Sequence, residues 1–211
     1  MSFFTLMHLS FHYGFGIIFA SLMTIFMPLT WWQYGLITFF SVLPDFDILY
    51  LLKSTQKNHR MFFTHSLYLS LIILIVGLIF GKIWIICCGI VLFLHVFVDL
   101  FDWGTNFFFN GRIVGPRLLL TKDEYDRVPE LMKKEVDHKW FFVKRYFYNR
   151  GCQLAEIIIG VLTLLLLFLL TPEYWYFIFG YILTMGYHLF EFLELRYRNK
   201  YKRSRFRLVN H

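Results

Sequence analysis

Apolar residues along this chain gather into six long runs, at about 8–29, 31–52, 61–80, 82–103, 154–170 and 174–193, with polar residues collected in the gaps. Each run approaches the roughly 20 residues that a helix needs to cross a bilayer core. The pattern predicts an all-α fold, a polytopic membrane helix bundle of about six transmembrane helices forming one membrane-embedded domain over residues 1–211. The one long segment outside the runs, 104–153, alternates charges ("TKDEYDRVPELMKKEVDHKW") and predicts a cytoplasmic helical insert, followed after the last run by a basic tail at 196–211. Within the insert, "KKEVDHKWFFVKRYFYNR" mixes bases with aromatics, as an interfacial helix lying on headgroups does. Pro44 interrupts the second run just before Asp45, where its ring and missing N–H predict a kink or an end to the helix. Non-helical backbone at membrane depth is tolerated where protein buries it or where it lines a wet cavity, so a cavity is expected there.

The polar residues inside the runs carry the chemistry. In "FLHVFVDLFDWG", His95, Asp99 and Asp102 are spaced i, i+4, i+7 and share one helix face. An ionised side chain in a span costs about 2.5–3.5 kcal/mol at the bilayer centre, so such a stripe needs a reason. His12 begins the first run, Asp45 and Asp47 are late in the second, His65 is early in the third, His95 and Asp99 are late in the fourth, and His188, Glu191 and Glu194 are late in the sixth. With six spans all of these fall in the same half of the bilayer and can converge. Imidazole and carboxylate together are ligands for zinc, manganese or iron, and a bound dication offsets their desolvation.

Each residue also has a plainer role open to it. His12 suits an interfacial aromatic position, and Asp45 and Asp47 suit caps of the next segment. His59, with Lys57 and Arg60, suits a loop that meets lipid phosphates. Thr64 is a natural cap, which leaves His65 for a ligand. His95 and Asp99 suit a buried hydrogen-bonded pair or a proton relay, and Asp102 suits a helix C-terminal group. His188 and Glu191 share a face, beside a possible Glu194–Arg196 ion pair.

Composition makes the membrane reading firm: 58% of the 211 residues are hydrophobic and 22% aromatic, with a mean hydropathy of +0.55, well beyond a soluble domain. The net charge of +7 raises nucleic acid as a partner, but its distribution argues for lipid. With six spans, 20 of the 21 Lys and Arg fall on one side and Lys82 alone on the other, which by the positive-inside rule puts both termini in the cytoplasm. The tail "RYRNKYKRSRFR" then lies against anionic headgroups, each cation contributing about 1 kcal/mol. The first run lacks a basic n-region and a small-residue cleavage site and reads as a retained helix. Cys87, Cys88 and Cys152 form neither a disulfide framework nor a CxxC pair.

The ordered set "FHYGFG", "LPDFD", "HRMFFTHSL" and "LHVFVDLFDWG" resembles the family of membrane-bound metal-dependent hydrolases over roughly residues 10–115. That family in turn looks related to zinc-dependent phospholipase C. The resemblance implies zinc as the cofactor, with manganese or iron as alternatives, and Asp45 or Asp47, His65, His95 and Asp99 as ligands, with His12 available to a further ion. It also implies His59 and Arg60 on the substrate side, His59 as a catalytic candidate and Arg60 for a phosphate oxygen. Whichever of Asp45 and Asp47 is not a ligand is placed as general base, and Asp45 is the catalytic candidate of the two.

The expected activity is hydrolysis, at the cytoplasmic membrane face, of a phosphoester in a lipid or lipid-linked compound. A transporter or proton relay built on the same groups, and a silent scaffold with a structural metal, are the alternatives. Against transport, the opposite halves of the runs hold almost no ionisable groups apart from Lys82 and Glu173 at their edges.

Overall fold

The computed structural model describes residues 9–47, 59–133 and 138–209. Among them the architecture is helical, and the strand-like pairing is an isolated antiparallel bridge between Thr105 and Val114. The helices are α1 (Leu9–Met23), α2 (Trp31–Phe40), α3 (Leu67–Ile79), α4 (Ile83–Asp102), α5 (Val128–Lys133), α6 (His138–Tyr148), α7 (Arg150–Leu170) and α8 (Phe177–Val209).

Two of them, α4 and α7, are long and apolar enough to cross a membrane. Their surroundings differ: 44% of the apolar window of α4 is buried, against 11% for α7. Thus α4 is an inner helix and α7 presents most of its surface outward. The other four expected spans differ from the reading of six membrane-length helices. Over the described residues α1, α2 and α3 have 15, 10 and 13 residues, or about 22, 15 and 20 Å at the helical rise, against a ~30 Å hydrocarbon core. α8 has 33 residues but runs from an apolar half into the basic tail. The physical reason is visible at the breaks. Among the described residues, positions late in the second run and at the start of the third form three short 3₁₀ turns, Leu43–Asp47, His59–Met61 and Phe63–His65. The expected break at Pro44 falls inside the first of these.

α3 and α4 form a tight hairpin. A Cβ on Gly77 would sit 2.7 Å from the Ile86 amide nitrogen, and one on Gly89 2.8 Å from that of Leu74, so two glycines allow the backbones to touch. The turn closes through Gly81 at φ +59°, with the Lys82 N–H donating 2.9 Å to the Gly77 carbonyl, a left-handed C-terminal cap that favours glycine. α1 sits inside the bundle against α2, α4, α7 and α8, and Ile17, Ala20, Tyr34, Ile37, Val91 and Leu167 close the core around it. Cys87 and Cys88 are buried in the same core as free thiols.

The 104–153 segment is less helical than its charge pattern predicts. Gly104, Gly111 and Gly115 all have positive φ, and the chain between them folds back on itself through the Thr105–Val114 bridge. α6 buries Phe141, Val143 and Tyr146 in a second small core with Trp103, Leu119 and Leu195. Glu124 accepts from the Thr121 N–H, which holds its carboxyl below the usual range, and pairs with Arg145 of α6. The start of α7 is capped by Asn149, whose side-chain oxygen accepts from Gly151 at 2.8 Å and Cys152 at 3.2 Å.

Candidate metal centre

The centre is built outward from α4. One turn apart on its buried face, His95 and Asp99 are each 1% exposed, with His95 Nε2 3.5 Å from Asp99 Oδ2. The other ring nitrogen of His95 lies 2.6 Å from the Ser41 carbonyl. That carbonyl is released by the helix break: in a continued helix it would accept from Asp45, but the Asp45 N–H turns to Val42 instead. A carbonyl only accepts, so Nδ1 carries the proton of the neutral ring and Nε2 presents a lone pair. His95 Nε2 and Asp99 Oδ2 are buried without a hydrogen-bond partner.

The 3₁₀ turns bring in the rest. His65, fully buried, sets its Nδ1 3.0 Å from Asp47 Oδ2 and turns Nε2 to Asp99 Oδ2 at 3.5 Å and Asp45 Oδ1 at 3.9 Å. Asp45 Oδ1 is also 3.8 Å from His95 Nε2, and its Oδ2 has no hydrogen-bond partner. Thr64 donates to the same Asp47 oxygen, and Thr105 donates 2.8 Å to the His65 carbonyl. Asp47 therefore stands behind His65 as its orienting partner, the arrangement that fixes the tautomer of a metal-bound imidazole, and it is Asp45 that faces inward. Of the two aspartates left open as ligand in the sequence, the geometry favours Asp45.

On the far side of Asp99, Oδ1 lies 3.3 Å from His12 Nε2, and the His12 ring stacks on His95 with centroids 3.7 Å apart. Potential ligand atoms of Asp45, His65 and His95, and separately of His12, His95 and Asp99, fall within 4.8 Å of one another. Lone pairs and carboxylate oxygens converging in a buried space repel unless a proton or a cation lies between them. The donor set, imidazole nitrogen with carboxylate oxygen, fits zinc, manganese or iron.

Arg60 is 7% exposed and does not extend into open space. It makes a two-pronged pair with Asp102, one prong at 2.8 Å, and approaches Asp99 Oδ1 at 3.4 Å and the Asp99 carbonyl at 3.1 Å. The third member of the α4 stripe, Asp102, thus holds an arginine, and Arg60, expected on a phosphate oxygen, meets two carboxylates. His59 belongs to the same short turn, but its side chain lies outside the described residues, as does Lys57.

A second buried polar cluster joins four helices. His188 of α8 lies 2.9 Å from Ser10 of α1 and 3.4 Å from Glu156 of α7, which also accepts 2.5 Å from the Tyr146 hydroxyl of α6. Glu191, on the same face of α8, accepts 3.0 Å from Tyr187. Glu156 was not among the sequence candidates, although a lone carboxylate early in the fifth apolar run was the available signal.

Comparison with curated proteins and with solved structures finds no significant match. A model of the YdjM inner membrane protein family matches residues 7–125, more than half of the chain and every residue of the centre from His12 to Asp102. By that match the chain belongs to the YdjM inner membrane protein family.

Proposed function

We propose that this inner-membrane protein is a metal-dependent hydrolase that cleaves a phosphoester of a lipid or lipid-linked compound, with zinc as the ion. The observation that carries the reading is the buried convergence of Asp45, His65, His95 and Asp99, with His95 Nε2 and single oxygens of Asp45 and Asp99 left without hydrogen bonds. His65, His95, Asp45 and Asp99 would hold the ion, and His12 with the second oxygen of Asp99 offers an adjoining position. A bound dication would lower the pKa of a coordinated water towards about 7 and polarise the phosphoryl oxygen.

The chain's own residues supply the rest. The Ser41 carbonyl and Asp47 hold the two imidazoles with Nε2 inward. Arg60 approaches Asp99 at Oδ1, the oxygen that His12 also meets, acting as a positioning residue for that carboxylate. Asp45 is the most exposed of the four, its side chain 12% exposed; as a ligand through Oδ1 it would leave Oδ2, which has no hydrogen-bond partner, as the general base. His59 remains the candidate for the substrate side. The orientation with both termini cytoplasmic, and with the shorter helices completing a six-segment bundle, rests on the one-sided distribution of Lys and Arg.

The test is elemental mass spectrometry of the detergent-purified protein, wild type beside a His95→Ala, Asp99→Ala double variant, followed by phosphate release from phosphatidic acid in mixed micelles. Near-stoichiometric zinc that the variant lacks, with hydrolysis that follows the metal, is the expected result. Absence of transition metal from wild type after reconstitution would overturn the reading.

A further inference from the structure

A cleft of about 370 Å³ lies beside the metal centre, between α1, α4, the 118–119 segment and the α6–α7 junction. That volume is within the range of about 300–1,000 Å³ typical of small-molecule sites. Its walls are apolar. Phe11, the residue before His12, supplies one side, Val98 and Phe101 of α4 a second, and Ala155 of α7 a third. At the rim, Phe101 is 41% and Leu118 68% exposed, and the outward surface of α7 continues the apolar face. In an inner-membrane protein that surface meets acyl chains, so the cleft is continuous with the lipid phase.

Besides Asn149, whose side-chain oxygen caps α7, two polar groups are set into these walls, Asp102 and Tyr146. Each connects the cleft to a buried cluster: Asp102 through Arg60 to Asp99, and Tyr146 through its hydroxyl to Glu156. Among the described residues no Lys or Arg lines the cleft. The Asp102 charge is balanced by Arg60, and apolar walls with hydrogen-bond acceptors but no lining cation suit an uncharged headgroup with a hydroxyl better than a phosphate.

We propose that this cleft binds an uncharged lipid carrying a free hydroxyl, a diacylglycerol in type, with its chain against Phe11, Val98, Phe101 and Ala155 and its hydroxyl donating to Asp102. Binding needs only the cleft. That this lipid is also the alcohol released when a lipid phosphoester is hydrolysed rests on the hydrolase reading above.

The experiment uses the full chain in phosphatidylcholine vesicles containing a trace of diacylglycerol with a photoactivatable diazirine in its acyl chain. After irradiation, mass spectrometry maps the labelled peptides. Labelling is expected to concentrate at Phe11, at 98–101 and at 152–155, and to fall about tenfold with excess unlabelled diacylglycerol, the scale of 1.4 kcal/mol in affinity. Phosphatidic acid at the same excess is expected to compete far less. Ala155→Trp, which fills the cleft, is expected to remove the labelling while zinc content is retained, and Val98→Phe serves the same end should Ala155→Trp fail to fold. His95→Ala, which removes a proposed metal ligand, is expected to label as wild type does, so failure of the hydrolase reading and failure of the cleft are read separately. Labelling spread evenly along the outward face of α7 and insensitive to competitor would mean bulk lipid alone and overturn the proposal. Equal competition by phosphatidic acid would overturn the assignment of an uncharged headgroup.

Discussion

Replacing Asp102 with alanine isolates the pair that anchors Arg60. The carboxylate is 13% and the guanidinium side chain 8% exposed, so the pair is nearly dry and its loss is not replaced by water. Breaking a buried pair by removing one partner costs about 3–5 kcal/mol. Here the guanidinium keeps the Asp99 carbonyl at 3.1 Å, the Gly104 carbonyl at 3.4 Å and Asp99 Oδ1 at 3.4 Å, which places the expected loss at the lower end, about 3 kcal/mol. The lost partner has a second consequence. Arg60 then leans fully on Asp99, competing with the ion for that carboxylate, and metal affinity is expected to fall about 10–100-fold, as it does when other supporting groups of metal sites are removed. Stability would be measured by denaturant titration in detergent, and affinity by competition with a zinc chelator. A double-mutant cycle with Arg60→Met separates the pair from its surroundings: Asp102→Leu with Arg60→Met is expected to recover most of the stability, since an apolar pair leaves no buried charge. Asp102→Ala within about 0.5 kcal/mol of wild type, the ordinary range for a surface substitution, would refute the reasoning.

Asp47→Ala should reduce zinc affinity about 10–100-fold without abolishing it, as for an orienting partner, whereas Asp45→Ala should remove binding; equal losses in chelator competition would contradict the division of roles between them. Gly77→Val forces a side chain into the Ile86 backbone, 2.7 Å from the nearest nitrogen, and should cost about 1–3 kcal/mol, read as a lowered melting temperature in detergent; an unchanged transition would refute the tight α3–α4 crossing. Asn149→Ala removes two capping hydrogen bonds at the start of α7 and should cost about 1 kcal/mol, with Asn149→Ser restoring most of it in the same assay.

Much of the centre was legible along the chain because its signals are local. The four-residue spacing of His95 and Asp99 depends only on helical periodicity, and the break at Pro44 only on a missing N–H and a fixed ring. The lengths of α4 and α7 followed from uninterrupted apolar runs. The α2 and α3 segments read as full spans because hydropathy does not register a 3₁₀ turn: Leu43, Phe46 and Phe63 are as apolar in a turn as in a helix.

What the sequence by itself determined is which residue types are present in the membrane domain and on which helix face they project, so that a histidine and carboxylate site was implied before any contact was known. Only the tertiary structure decided their division of labour. Asp45 and Asp47 are two residues apart on one turn, and which faces the ion depends on where His65 arrives from another turn. Arg60 was assigned to substrate because its fork suits phosphate, yet it meets Asp102, forty-two residues away, whose carboxylate presents the same geometry. Glu156 and His188 join across two helices with Ser10 on a third. Such choices are made by long-range packing, which places groups within hydrogen-bond reach irrespective of their spacing along the chain.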